Sequence, residues 1–301
     1  MANPIFASLP TTIFEEMSGL ARDLGAVNLG QGFPDDPGPP AIRAKAADAV
    51  LNGYNQYPPM AGLPELRQAV AAHYARRQGL DFDWRTEITV TSGATEALAA
   101  AFFGLIQPGD EVVVFQPLYD AYLPLIGLPG MRQRTVKIGS AGKMFGLTGW
   151  KVGFLCAAPE LTHALSRTHQ FLTFTTPPNL QAAVAFGLED SGDWFEAMPA
   201  ALQRSRDRLA QGLRREGFVT LPAQGTYFLN IDLAASGVTE DDRAFALRAV
   251  KEAGVATIPV SALYEEDHVT TILRLCLAKK DETLDEGVIR LARARDLSRT
   301  A

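Results

Sequence analysis

A chain of 301 residues, 47% hydrophobic and 21% charged, has the composition of an ordinary water-soluble globular protein with ample material for a core. Its formal net charge of -6 argues against a nucleic acid or an anionic membrane as the main partner. The two cysteines, Cys156 and Cys276, sit in apolar strand-like runs, and His73, His163, His169 and His268 are scattered, so neither a disulfide framework nor a metal site is expected.

The first residues, Met1 to Phe6, lack the basic-then-apolar pattern of a signal peptide. The longest apolar run, residues 97–106, is far too short to span a membrane, and a cytoplasmic location is expected. Residues 1 to about 40 read as mostly irregular, because Pro4, Pro10, Pro34, Pro37, Pro39 and Pro40 interrupt regular elements. Such an arm packs over another part of the molecule or over a partner subunit. The spacing then predicts a helix over Pro64–Gln78, with proline in its first turn, Leu66, Val70 and Tyr74 on one stripe, and Gly79 as the stop.

A β-branched run at 88–91 leads through Ser92-Gly93-Ala94 into an alanine-rich helix. Further strands are predicted at 111–115, 135–138 and 152–157, and the alternation argues an α/β domain with a largely parallel sheet. A charged helix over 201–216 turns Leu202, Leu209 and Leu213 inward and leads to a second, α+β domain. That domain has strands at 226–232 and 271–277 and a closing helix at 284–295. The expected organisation is an arm with part of the small domain over 1–43, a large domain over 44–200 and a small domain over 201–301. One junction breaks the pattern. A parallel pair needs a crossover of a dozen or more residues, usually helical, yet Pro117, Pro124, Gly127, Pro129 and Gly130 crowd the link between 111–115 and 135–138.

The local chemistry centres on two segments. Three of the seven lysines, Lys137, Lys143 and Lys151, fall within residues 137–151. Lys143 follows a strand and a small-residue turn, which is how one amine is presented into a cleft; near a second cation or in a dry pocket it becomes nucleophilic. The alternative is a solvated surface charge. A phosphate-loop reading of Gly142-Lys143 fails, because Lys137 stands where glycine is needed and Met144 where Ser or Thr must hold magnesium. The second segment, Thr91 to Leu98, is a strand ending in small residues that opens a helix, leaving unpaired N–H groups suited to a phosphate. Many such turns bind nothing, but a reactive lysine and a phosphate cradle together suit one cofactor.

The chain resembles the fold-type-I, pyridoxal-phosphate-dependent aminotransferases of class I/II, in the kynurenine/glutamine and methionine aminotransferase branch. The matching segments are Asn28-Leu29-Gly30-Gln31-Gly32-Phe33-Pro34-Asp35, Asn55-Gln56-Tyr57, residues 91–98, Gln116-Pro117-Leu118-Tyr119-Asp120, residues 140–153, Gln224-Gly225-Thr226-Tyr227-Phe228 and Leu273-Arg274-Leu275-Cys276. They lie in family order over nearly the whole chain. The resemblance implies that Lys143 bonds the aldehyde of pyridoxal 5'-phosphate and then shuttles a proton at Cα. Gly93, Ala94 and Thr95, completed by Ser140 and Lys151, would hold the phosphate, and Tyr119 would stack on the ring. Tyr57 would reach the phosphate of a neighbouring subunit, implying a homodimer. Arg274 and Gly32 would bind the α-carboxylate of the amino-acid and 2-oxo-acid substrates. Strand alternation puts Arg274 on one face with Ile272 and Cys276, where a guanidinium between apolar neighbours calls for an anion.

Two family motifs are missing from their places: an Asn-Pro whose asparagine bonds the cofactor's phenolic oxygen, and an Asp-Glu-aliphatic-aromatic run whose aspartate keeps the pyridine nitrogen protonated. Both would fall near residues 123–128, at the junction already marked, which implies an internal deletion of several dozen residues that includes central strands. Three functions stand open: a transaminase with activity lowered by that loss, a carbon–sulfur β-lyase using the same lysine, and a catalytically inactive deletion variant. Release of pyruvate and thiol, formation of a 2-oxo acid, or neither, separates them.

Overall fold

The computed structural model describes residues 11–111, 132–190, 192–264 and 269–298. In chain order they form α1 (Ile13–Asp23), β1 (Val27–Asn28), α2 (Pro40–Asn52), α3 (Pro64–Gln78), β2 (Ile88–Ser92), α4 (Gly93–Leu105) and β3 (Val136–Ser140). After these come the one-turn α5 (Ala141–Met144), β4 (Val152–Ala157), α6 (Pro159–Leu172), α7 (Pro178–Glu189) and α8 (Trp194–Arg215). The remainder is β5 (Val219–Thr220), β6 (Phe228–Asp232), α9 (Asp242–Arg248), β7 (Val255–Ala256), β8 (Ile258–Pro259), β9 (Ile272–Cys276) and α10 (Asp281–Ser298). They divide into two compact units, one of residues 11–36 and 196–298, the other of 37–111 and 132–195. No helix among the described residues is long and apolar enough to cross a membrane.

In the unit of residues 37–195, α2, α3, α6 and α7 each begin at a proline. The fixed φ of proline suits a first helical turn, and its missing N–H has no partner to lose there. Gly79 ends α3 in the left-handed conformation, φ 65°, as the sequence predicts. Buried Leu66, Val70 and Tyr74 of α3 join Ile88 and Val90 of β2, Phe154 of β4 and Ala183, Val184 and Leu188 of α7 in one core.

The sheet of this unit has the order β2-β4-β3. The α/β class stands, and β2 and β3 run the same way, but β4 between them is antiparallel to both, with Thr91 opposite Gly153 and Ser140 also opposite Gly153. The largely parallel pairing expected from the alternation is therefore absent among these three strands. Only eleven residues separate Ser140 from Val152, too few for a helical crossover to a parallel neighbour, so the chain turns back on itself. The strand predicted at 111–115 lies outside the described residues except for Glu111, and so does the proline-rich junction after it.

The other unit joins both chain ends. Half of residues 11–36 are irregular, as the prolines suggested, and the rest are β1 and α1, which lies in the proline-free stretch between them. The Thr12 hydroxyl accepts the Glu15 amide at 3.3 Å to cap it, while Met17 and Ala21 enter the core. Helix α8 begins seven residues earlier than predicted, running through Pro199. Pro199, its sixth residue, has no N–H for the Phe195 carbonyl and crowds that carbonyl. Within the unit of residues 37–195, the Trp194 indole donates to the Met144 carbonyl at 2.7 Å. An antiparallel sheet of order β5-β6-β9-β8 and the parallel pair β1-β7 complete the unit, around a core of Leu229, Ile231, Phe245, Leu273, Leu275 and Leu291.

One ion pair closes the loop after β1 onto the β9–α10 junction. The buried Lys279 ammonium donates to the Phe33 carbonyl at 2.9 Å and to Asp35 Oδ1 at 3.2 Å, while Asp35 Oδ2 accepts the Lys280 amide and the Thr283 hydroxyl. Partial burial works to raise the Asp35 carboxyl, but the Thr283 hydroxyl, the Lys279 charge and the Lys280 amide outweigh it and hold the group below its ordinary 3.8. A lowered carboxyl contributes stability that is present above pH 3.8 and disappears as pH falls through the lower folded value. The melting-temperature gap between the wild type and Asp35→Asn is therefore expected to stay constant above about pH 5 and to close below pH 3.8.

A second constraint comes from Gly153. A Cβ there would lie 2.5 Å from the Gly93 carbonyl carbon and 2.7 Å from the Ala94 nitrogen, both backbone atoms that cannot swing away. Gly153→Ala is expected to destabilise the protein by about 1–3 kcal/mol in urea denaturation, the range for overpacking.

Candidate active site

Two clusters of predicted residues form, one in each unit. The first is the turn from β2 into α4. Ser92 caps the helix with ψ 69°, and Gly93 follows at φ 73°, a left-handed conformation that a side chain would strain. The Thr91 hydroxyl donates to the Gly93 carbonyl at 3.1 Å and holds the turn closed. Gly93, Ala94 and Thr95 are the first three residues of α4, so their amides have no partner within the helix, and small side chains leave the approach open.

Lys151 lies over this turn. It adopts φ 54° just before β4, and a Cβ on Gly93 would meet its Cε and Nζ at 3.2 Å. A cation and a helix N-terminus thus face the same point, an arrangement suited to a phosphate dianion. The half-buried Ser140 enters the same neighbourhood through its pairing with Gly153, whose backbone touches the Gly93–Ala94 peptide. Three residues further on, in α5, Lys143 is solvent-exposed. Tyr57 is 81% exposed, with its ring edge-on to Phe174 at 5.6 Å. Tyr119 lies outside the described residues.

The second cluster surrounds Arg274, at the middle of β9 between Asn230 of β6 and Ile258 of β8. Leu273 and Leu275 point into the core, and Arg274 is on the opposite face. Its guanidinium lies 4.0 Å from the Phe228 ring and 5.2 Å from that of Phe14. Two rings on a guanidinium restrict its plane. Gly32 packs against the same phenylalanine: a Cβ there would sit 2.8 Å from Phe228 Cζ. The Asn28 side chain shapes this glycine loop by accepting the amides of Gly30 and Gln31 at 3.0 and 3.1 Å. The order Asn-Leu-Gly-Gln-Gly is thus a turn that needs its asparagine.

Reasoning from sequence missed three contributors. Gly153 reads there as an ordinary strand glycine, although glycine inside a strand often marks a close backbone approach. Lys279, which ties down the loop after Gly32, follows β9 with no motif around it. Glu96 reaches back to accept the Ser92 amide at 3.0 Å and also meets His169, a contact between residues 73 apart that no local pattern encodes.

The family model described as "Aminotransferase class I and II" matches residues 25–141 and 136–291. The chain is 34% identical over 380 residues to the probable N-succinyldiaminopimelate aminotransferase of Mycobacterium tuberculosis, covering 94% of this chain and 96% of that one. To the methionine aminotransferase of Escherichia coli K12 it is 32% identical over 370 residues, again with 94% and 96% covered. The solved structure of the mycobacterial N-succinyldiaminopimelate aminotransferase superposes with a TM-score of 0.92 at 33% identity, covering 98% of this chain and all of that one. The Escherichia coli methionine aminotransferase structure gives 0.91 at 31% identity, with 97% and 99% covered. Matches of this extent, over a fold that sets a strand-to-helix turn beside a lysine-bearing turn, identify the chain as a member of the class I and II aminotransferase family, an amino-acid transaminase.

Proposed function

We propose that this transaminase works with pyridoxal 5'-phosphate, moves an amino group between an amino acid and a 2-oxo acid, and uses Lys143 as its catalytic amine. The observation that carries the reading is the Lys151 ammonium over the Gly93 turn, one strand away from the segment that leads into Lys143. That turn passes a simple test of fit, because any Cβ on Gly93 would fill the space beneath the cation. Pyridoxal phosphate, when bound, supplies an aldehyde to take up the amino group and a conjugated ring to draw electrons from Cα. The residues of the chain do the rest. The amides of Gly93, Ala94 and Thr95, the Ser140 hydroxyl and Lys151 would hold the phosphate, Tyr119 would face the ring by the resemblance, and Lys143 Nζ would supply the amine for the aldehyde and carry the proton at substrate Cα. Arg274 and Gly32 take the substrate carboxylate. The high exposure of Tyr57 supports its service to a second copy in a homodimer.

We also propose that transamination is slow, because part of the large domain is missing between Lys143's segment and the strand predicted at 111–115. Support comes from alignment length: 94% of 301 residues is about 283, so an alignment of 380 contains about a hundred positions filled only by the relative. The family model likewise matches in two pieces. The Asp-Glu-aliphatic-aromatic run, whose aspartate would keep the pyridine nitrogen protonated, is missing from its place in the sequence, and without that proton the ring draws electrons from Cα less strongly.

Adding pyridoxal phosphate to the purified protein is expected to produce a visible absorbance band that Lys143→Ala lacks. Multiple turnovers with an amino acid and a 2-oxo acid should be slow; a rate matching the full-length relatives would overturn the second proposal, and a band of equal strength in Lys143→Ala would overturn the first. Arg274→Lys, which loses the two-pronged contact, is expected to raise KM for the amino acid roughly 10- to 100-fold with little change in kcat, from the ~1.5–3 kcal/mol of a charged hydrogen bond.

A further inference from the structure

His169, on α6, is fully buried and meets oxygen at both ring nitrogens. Nδ1 lies 3.0 and 3.1 Å from the two carboxylate oxygens of Glu96, and Nε2 lies 3.1 Å from the Met60 carbonyl oxygen. A carbonyl only accepts, so Nε2 must carry a proton to bond it. Glu96 already accepts the Ser92 amide through Oε2, which suits an ionised carboxylate and leaves Nδ1 to donate as well. With Glu96 ionised, both ring nitrogens must donate, and a neutral imidazole has only one N–H.

The placement gives that count a consequence. Glu96 is in the second half-turn of α4, the helix whose first three amides face the proposed phosphate. A lone carboxylate there would repel a dianion held a few ångströms away, and by accepting the Ser92 amide it also shapes the turn. An imidazolium from α6 cancels the charge without disturbing that hydrogen bond. Its other nitrogen ties the turn to Met60, in the loop that carries Tyr57.

We propose that Glu96 and His169 form a buried carboxylate–imidazolium pair that positions the phosphate cradle, with His169 neutralising an acidic residue the turn needs for its shape. The inference rests on reading this turn as the phosphate site. Both act through the turn and neither touches the ligand, so they are positioning residues. Glu96→Gln can keep all the contacts without charge: its amide oxygen accepts from Ser92, its NH2 donates to Nδ1 of a neutral ring, and Nε2–H still donates to Met60.

The experiment compares binding of pyridoxal phosphate with binding of pyridoxal, which lacks the phosphate, by fluorescence titration of folded protein. The preference for the phosphate ester should survive in Glu96→Gln within about threefold, fall roughly tenfold in His169→Asn, where the carboxylate stands unneutralised, and return in the double variant Glu96→Gln/His169→Asn. Nitrogen NMR of the histidine-labelled wild type near neutral pH, read without cofactor, should find both His169 ring nitrogens protonated. A bare Nδ1, an unchanged preference in His169→Asn, or a double variant as poor as His169→Asn overturns the inference. A wild type with no preference for the phosphate ester overturns the phosphate reading itself, while the nitrogen signals still report on the pair.

Discussion

Where β4 begins, the Gly153 backbone lies so close to the Gly93–Ala94 peptide that no side chain fits between them, and the geometry of the Gly93 turn follows from that contact. It fixes the distance from β4 to the turn, and so fixes where Lys151, two residues earlier, can put its ammonium. Because Gly153 pairs with Ser140 on its other side, the same contact sets the start of the short helix carrying Lys143. One residue without a side chain thus aligns two lysines and a helix end. Gly93 and Lys151 both take left-handed backbone conformations in this arrangement, φ 73° and 54°.

The Arg274 side is built on a different principle. Strand alternation gives the arginine its direction, and aromatic rings give its guanidinium a plane. The glycine loop then reaches Phe228 because Asn28 folds it and Lys279 with Asp35 holds its far end. Burial of Leu273 and Leu275 on the other face of β9 makes that direction difficult to change, because a one-residue slip would exchange core and surface.

Much of this was legible in the sequence where the signal is local. Pro64–Gln78 and Val152–Ala157 fall within the residues predicted, because a proline start, a glycine stop and an apolar run each act over a few positions. The α1 helix was hidden by prolines on both sides, and the reversed direction of β4 by an alternation that reports the kinds of element and not their pairing. In the two clusters, the motif residues stand out by their local chemistry, whereas Gly153, Lys279 and the Glu96–His169 contact depend on neighbours distant in the chain. A pattern in sequence carries what a segment does alone; it carries little of what two segments do when folding brings them together.

The unit built from both chain ends also bears on how the protein is made. Val27 pairs with Val255, and the buried face of α1 is covered by residues beyond 209, so the first segment leaves the ribosome long before its partners exist. Residues 37–195 lie between the two halves of this unit and are made before the second half. Until residues 209–291 are made, the apolar side of α1, with Ile13, Met17 and Ala21, lacks most of the core that covers it in the folded unit.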